Sequence, residues 1–171
     1  TVWEVADGVT GIKSRQHFDA LQLVQPDLRA LELLDGDSAG QQQSSPITGI
    51  GYQKLRWRRY EVESYLFHPA SLERFVLGLA GDVGVAALRK HLEDNMPPRF
   101  LQSPLDDLPM LNTTKAREVL LPPALAAAGV TDIPYTEFFR IASVMTPEEI
   151  HPEVTEKLDG ICKAFGLSLE A

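Results

Sequence analysis

Residues 29–40 read RALELLDGDSAG: a short apolar run that closes on two aspartates one residue apart, Asp35 and Asp37. An Asp-x-Asp pair at a strand end can aim both carboxylates at one point in the turn that follows. Hard divalent cations such as Mg2+ take oxygen ligands, usually one or two carboxylates with water and phosphate oxygens making up the rest. That is the minimum chemistry for phosphodiester hydrolysis, in which the cation activates water and stabilises the leaving oxygen. The competing readings are structural. Asp and Gly suit turns and Ser caps them, so DGDS also describes an ordinary loop. Glu61 and Glu63 follow the next strand and extend the acidic set. Their alternative role is at a helix N-terminus, where carboxylates complement the helix dipole.

The elements that must position these acids follow from periodicity. TVWEV at the start is β-branched and aromatic and precedes two glycines, a strand and then a turn. Ser14 is expected to cap a helix with Phe18, Leu21 and Val24 on one face, stopped by Pro26. RALELLD forms the next strand, and strand–helix–strand in about 35 residues is the size of a βαβ unit with a parallel sheet. Asp35 and Asp37 then lie at the carboxyl edge, where open α/β sheets bind ligands.

The Gln-, Ser- and Gly-rich stretch 40–51 reads as an exposed loop. Residues 52–59, YQKLRWRR, alternate Leu55 and Trp57 with Lys54, Arg56 and Arg58, a half-buried strand with a basic face. Adjacent strands lie about 4.8 Å apart, so if this strand runs parallel to 30–35 the four acids can converge. Pro69 and Ser71 suit the first turn of a helix carrying Leu72, Phe75, Val76 and Leu79, and a second helix ends before Pro97 and Pro98. A short helix in TKAREVLLPPALAAAG and two closing helices complete a helical C-terminal half. The last helix presents Val154, Leu158, Ile161 and Phe165 at helical intervals.

Composition narrows the classes. A chain of 171 residues, 44% hydrophobic and 23% charged, suffices for one domain with a sizeable core. Its net charge of −8 argues against a protein that coats nucleic acid, though not against an enzyme acting on it through metal ions. A single cysteine, Cys162, excludes an internal disulfide and points to a reducing, cytoplasmic setting. No apolar run approaches the ~20 residues of a membrane span.

Other motifs fail on spacing. GVTGIKS, residues 8–14, sits where a phosphate-binding loop would, but Ile12 separates Gly11 from Lys13. His17, His68, His91 and His151 lack zinc spacing, and Ser38 and Ser64 lack a nucleophile motif. A receiver-type phospho-acceptor domain would need an early acid pair and strands alternating with helices to the end, and the chain has neither.

The joint occurrence of LLDGD (33–37) and RRYEVESYL (58–66), in this order, resembles the Toprim nuclease domain of the OLD-family (overcoming lysogenization defect) ATP-dependent endonucleases. EVESYLFHP, 61–69, stands where that family carries a segment like EIENYLL-P. The resemblance covers residues 1–80 well and the rest loosely. It implies an α/β fold, a small parallel sheet flanked by helices over 1–80, with 81–171 as a helical part of the same domain. It implies DNA cleavage with Mg2+ or Mn2+ held by Asp35, Asp37 and Glu63, with Glu61 a weaker ligand. It assigns a late lysine to the scissile phosphate, for which Lys115 in NTTKAREVL is the candidate; an ammonium there offsets transition-state charge. Arg56, Arg58 and Arg59, with Lys54, are candidates for DNA phosphate contact.

A Toprim domain opens with a strand bearing a glutamate, and only Glu4 and Asp7 precede the helix here. The expectation is that this first strand lies upstream of Thr1, together with an ATPase domain of the same parent. DNA, that ATPase domain and further copies of the chain are the expected partners, with no membrane, and phage defence is the family-level setting. A catalytically silent Toprim-like module, serving oligomerisation or regulation of an attached ATPase, is the alternative.

Overall fold

The computed structural model describes residues 12–38 and 51–167. The expected opening strand, Glu4, Asp7 and the stretch 40–50, expected as a loop, lie outside them. The protein is a mixed α/β chain, mostly helical, with a two-stranded parallel sheet, and it forms two compact units. Among the described residues the first unit comprises 12–34, 51–56 and 156–167, and the second comprises 35–38 and 57–155.

In the first unit, helix α1 (Ile12–Gln22) precedes strand β1 (Ala30–Leu34), which pairs in parallel with β2 (Tyr52–Arg56), Ala30 opposite Tyr52 and Leu34 opposite Arg56. The parallel orientation required for the four acids to converge is therefore present. Phe18 of α1 is buried against Tyr52, ring centroids 5.2 Å apart. Glu32 on β1 accepts hydrogen bonds from Tyr52 Oη (2.8 Å) and Ser14 Oγ (3.2 Å) and pairs with Lys54 Nζ at 3.2 Å. Ser14 thus lies inside α1 and binds across to β1 instead of capping the helix. Leu21 and Val24, expected on the buried face, are exposed, because α1 ends at Gln22 and leaves Val24 in the following turn.

The second unit is built around α2 (Pro69–Asn95). His68 is its N-cap residue in extended backbone and Pro69 its first residue, where a missing N–H costs nothing. Gly81 interrupts the helix at φ 65°, ψ −165°, a conformation essentially confined to glycine. The helix consequently has two straight pieces, as the sequence suggested, and it stops at Met96 before the proline pair. Short helices α3 (Pro98–Gln102), α4 (Pro109–Thr113), α5 (Leu121–Ala127) and α6 (Phe139–Ala142) follow, with α3, α5 and α6 packed on α2. Leu72, Phe75, Val76, Leu88, Phe100, Leu111, Leu121 and Ile141 form the core. Leu79, expected on that face, is 46% exposed because it adjoins the break at Gly81.

The closing helix α7 (Pro152–Phe165) begins in the second unit and continues in the first. Its apolar stripe is less covered than the periodicity suggests: Leu158 and Phe165 are exposed. Its anchor is polar instead. Glu153 is fully buried, accepts the Tyr65 hydroxyl in a short hydrogen bond and the Arg58 backbone N–H at 2.9 Å, and pairs with Arg58 Nε at 3.4 Å. Among the described residues, no helix is long and apolar enough to cross a membrane.

Candidate functional site: an acidic cluster with an arginine

Asp35, Asp37, Glu61, Glu63 and Lys115 all belong to the second unit. Asp35 immediately precedes the 3-10 turn Gly36–Ser38, which carries Asp37, and a second 3-10 turn, Val62–Tyr65, carries Glu63 with Glu61 as its N-cap residue. Gly36 explains the DGD pattern. It is buried, and a Cβ there would sit 2.1 Å from the Arg59 carbonyl oxygen and 2.9 Å from that of Trp57. Only glycine lets this turn lie on the backbone leading to Glu61.

Seated there, the aspartates feel the glutamates. Partial burial pushes the Asp35 carboxyl up, and the charges of Asp37 and Glu63 push it further; the Arg117 charge and a hydrogen bond from the Val62 backbone hold it back. Burial likewise pushes Glu61 up, against a hydrogen bond from the Arg117 backbone N–H, with Glu63 and Asp35 adding to the rise. That bond is 2.5 Å, to Glu61 Oε1, and the Arg117 guanidinium stands 4.0 Å from Oε2. Glu61 is 4% exposed, whereas Asp35 and Asp37 are exposed. The acids therefore share one electrostatic neighbourhood. Among the described residues, however, no three His, Cys, Asp or Glu side chains stand close enough to hold one metal ion.

Among the cations expected to meet phosphate, Arg59 is the one whose placement departs from expectation. Arg59 is 2% exposed, its guanidinium donating to the carbonyls of Ser64 (2.9 Å) and Pro104 (3.4 Å) and lying over the Tyr65 ring. It is a structural residue, not a phosphate contact, since β2 ends at Arg56 and the alternation breaks there. Arg58 is exposed but paired with Asp107 at 3.3 Å and with Glu153. Arg56 stands at the end of β2, in the first unit. Lys115 is exposed and bound to Glu118 at 3.1 Å, which together with the Glu118 charge raises its pKa.

The cation coupled to the acids is Arg117, two residues on, at the start of a π-helical turn (Ala116–Leu120) packed on the Val62–Tyr65 turn. Sequence reading did not single it out. The usable signal was its placement in the same KAR segment as Lys115. Compared with known protein families, with curated proteins and with solved structures, the chain matches none.

Proposed function

We propose that the chain is the metal-dependent endonuclease domain of an OLD-like ATPase-nuclease, with a Toprim-like fold, acting on DNA. The observation that carries the reading is the seating of Gly36 on the backbone that leads to Glu61 and Glu63, which brings Asp35 under the charges of Asp37 and Glu63. An all-oxygen set of carboxylates under mutual repulsion suits a hard divalent cation, whose charge would relieve that repulsion. The parallel β1–β2 pair agrees with the sheet that the resemblance implies.

Asp35, Asp37 and Glu63 would hold Mg2+ or Mn2+ by closing their side chains from the wider spacing seen here, and the ion would supply Lewis acidity for phosphodiester hydrolysis. Glu61 is assigned a smaller part, because one of its oxygens already accepts the Arg117 N–H. Arg117 steadies Glu61 and tempers the local negative charge that a phosphate would meet. Lys115 is proposed at the scissile phosphate as the resemblance implies, which requires it to exchange its Glu118 partner. The expected setting is cytoplasmic, beside an attached ATPase domain.

The test is calorimetric titration of Mg2+ and Mn2+ into the chain and into its Asp35→Asn/Asp37→Asn variant, followed by cleavage assays on the full-length parent. Binding and cleavage should both disappear in the variant. Cleavage retained without the two aspartates would overturn the reading. A second reading rests on the spacing of the acids, no three of which are placed around one ion: a catalytically silent module for oligomerisation or regulation of the ATPase. Equal titration curves for both proteins would favour it.

A further inference from the structure

We propose that Arg117 and Tyr135 form a subsite for one unpaired nucleotide of single-stranded DNA, the Tyr135 ring carrying the base and the Arg117 guanidinium its phosphate. This rests on the nuclease reading above and deepens it. Arg117, Glu118 and Tyr135 line an open cavity of about 330 Å3. That is the lower end of the ~300–1,000 Å3 typical of ligand sites, enough for one flipped or unpaired nucleotide and too small for a duplex.

Tyr135 is 60% exposed, a large aromatic left in water. Its backbone is ordered: it follows Pro134 at the head of a 3-10 turn in which Glu137 N–H donates to Pro134 O (2.9 Å) and Phe138 N–H to Tyr135 O (3.2 Å). With the backbone already ordered, stacking a base there costs only the freedom of the side chain. The Arg117 guanidinium lies over one face of the ring, 5.5 Å from its centroid, so a base would stack on the opposite face with the cation beside it. Five N–H donors are available to that guanidinium, and its one side-chain ion pair among the described residues is the 4.0 Å contact with Glu61. Glu118 on the cavity wall pairs with Lys115 at 3.1 Å, and when that lysine turns to the scissile phosphate, its ammonium and the Arg117 guanidinium both serve the nucleotide's phosphates against this one carboxylate.

The cavity also has a direction. Arg117 is the residue whose backbone binds Glu61 and whose charge reaches Asp35. A nucleotide seated on Tyr135 would therefore deliver an adjoining phosphate toward the carboxylates. Aromatic stacking beside a cation is the general device by which proteins hold single strands without sequence preference.

The test is fluorescence anisotropy of a labelled oligothymidylate of about ten nucleotides, with Ca2+ as the oxygen-seeking cation. Wild type is compared with Tyr135→Ala and Tyr135→Phe, each against the same oligonucleotide with abasic sites. Stacking worth about 1–3 kcal/mol per base makes Tyr135→Ala roughly 5- to 150-fold weaker. Tyr135→Phe should bind like wild type. The abasic strand should bind wild type more weakly, yet cost Tyr135→Ala nothing further. Wild-type binding that is indifferent both to Tyr135→Ala and to abasic sites would overturn the subsite and leave the nuclease reading standing. Absence of any DNA binding by wild type would overturn both.

Discussion

The backbone N–H of Arg117 donates to Glu61 Oε1 at 2.5 Å, joining residues 56 positions apart in the chain. A carboxylate spent on fixing the π-helical turn is not free to be a full metal ligand. Glu61→Ala should cost about 1–3 kcal/mol of stability, the range for losing a hydrogen bond to a charged, buried acceptor. Glu61→Gln keeps an acceptor oxygen and should lose well under half of that. Urea unfolding measures both, and Mg2+ affinity retained in Glu61→Gln would assign the residue to structure.

Asp35 gives the opposite sign. A carboxyl raised in the fold binds its proton more tightly folded than unfolded, so ionising it, above roughly pH 4, costs stability. The cost fades as pH falls through the folded-state value. In chelator at pH 7, Asp35→Asn should melt roughly 1–2 °C higher than wild type, a small gain because water screens much of the repulsion. Adding Mg2+ should raise the wild type and close the gap. An unchanged gap with Mg2+ would count against a cation at Asp35.

Gly36 tests how the acids are brought together. A methyl group 2.1 Å from the Arg59 carbonyl cannot be accommodated without moving the backbone. Gly36→Ala should destabilise by about 1–3 kcal/mol, as overpacking does, and should weaken divalent-ion binding by displacing the Asp35–Asp37 turn. Circular-dichroism melts and calorimetry read the two effects separately.

Glu149 governs the acid limb. Burial pushes its carboxyl up, but hydrogen bonds from Arg74, the Thr146 backbone and Ser71, with the Arg74 charge, outweigh this and hold it down to about 2. Stability from this group is complete above the unfolded value of ~4.3 and is lost as pH falls toward 2. Glu149→Gln should therefore lower stability at pH 7 and flatten the decline between about pH 4.3 and 2, measured as unfolding midpoints against pH.

What the sequence by itself determined were features written in a few consecutive residues. Alternation and turn residues located β1 and β2, whereas their parallel pairing entered only as the condition for the acids to converge, and the structure meets it. Proline, with its locked φ and missing N–H, marked the start of α2 at Pro69 and its stop before Pro97. Helical spacing picked out Phe18, Leu72, Phe75 and Val76, all of them buried. The acids Asp35, Asp37, Glu61 and Glu63 were legible as a set because each follows a strand.

Only the tertiary structure decided which charges are buried and which partner each one keeps. Arg59 and Glu153 look like surface residues in sequence, yet both are enclosed, because Tyr65, Ser64 and Pro104 supply the contacts that a buried charge requires. Of the two cations in the KAR segment, the sequence pointed to Lys115, not to Arg117. Glu118 holds one, while the backbone bond to Glu61 brings the other to the cluster. Such choices depend on residues as far apart as Tyr65 and Glu153, 88 positions, and no local pattern encodes a partner at that distance.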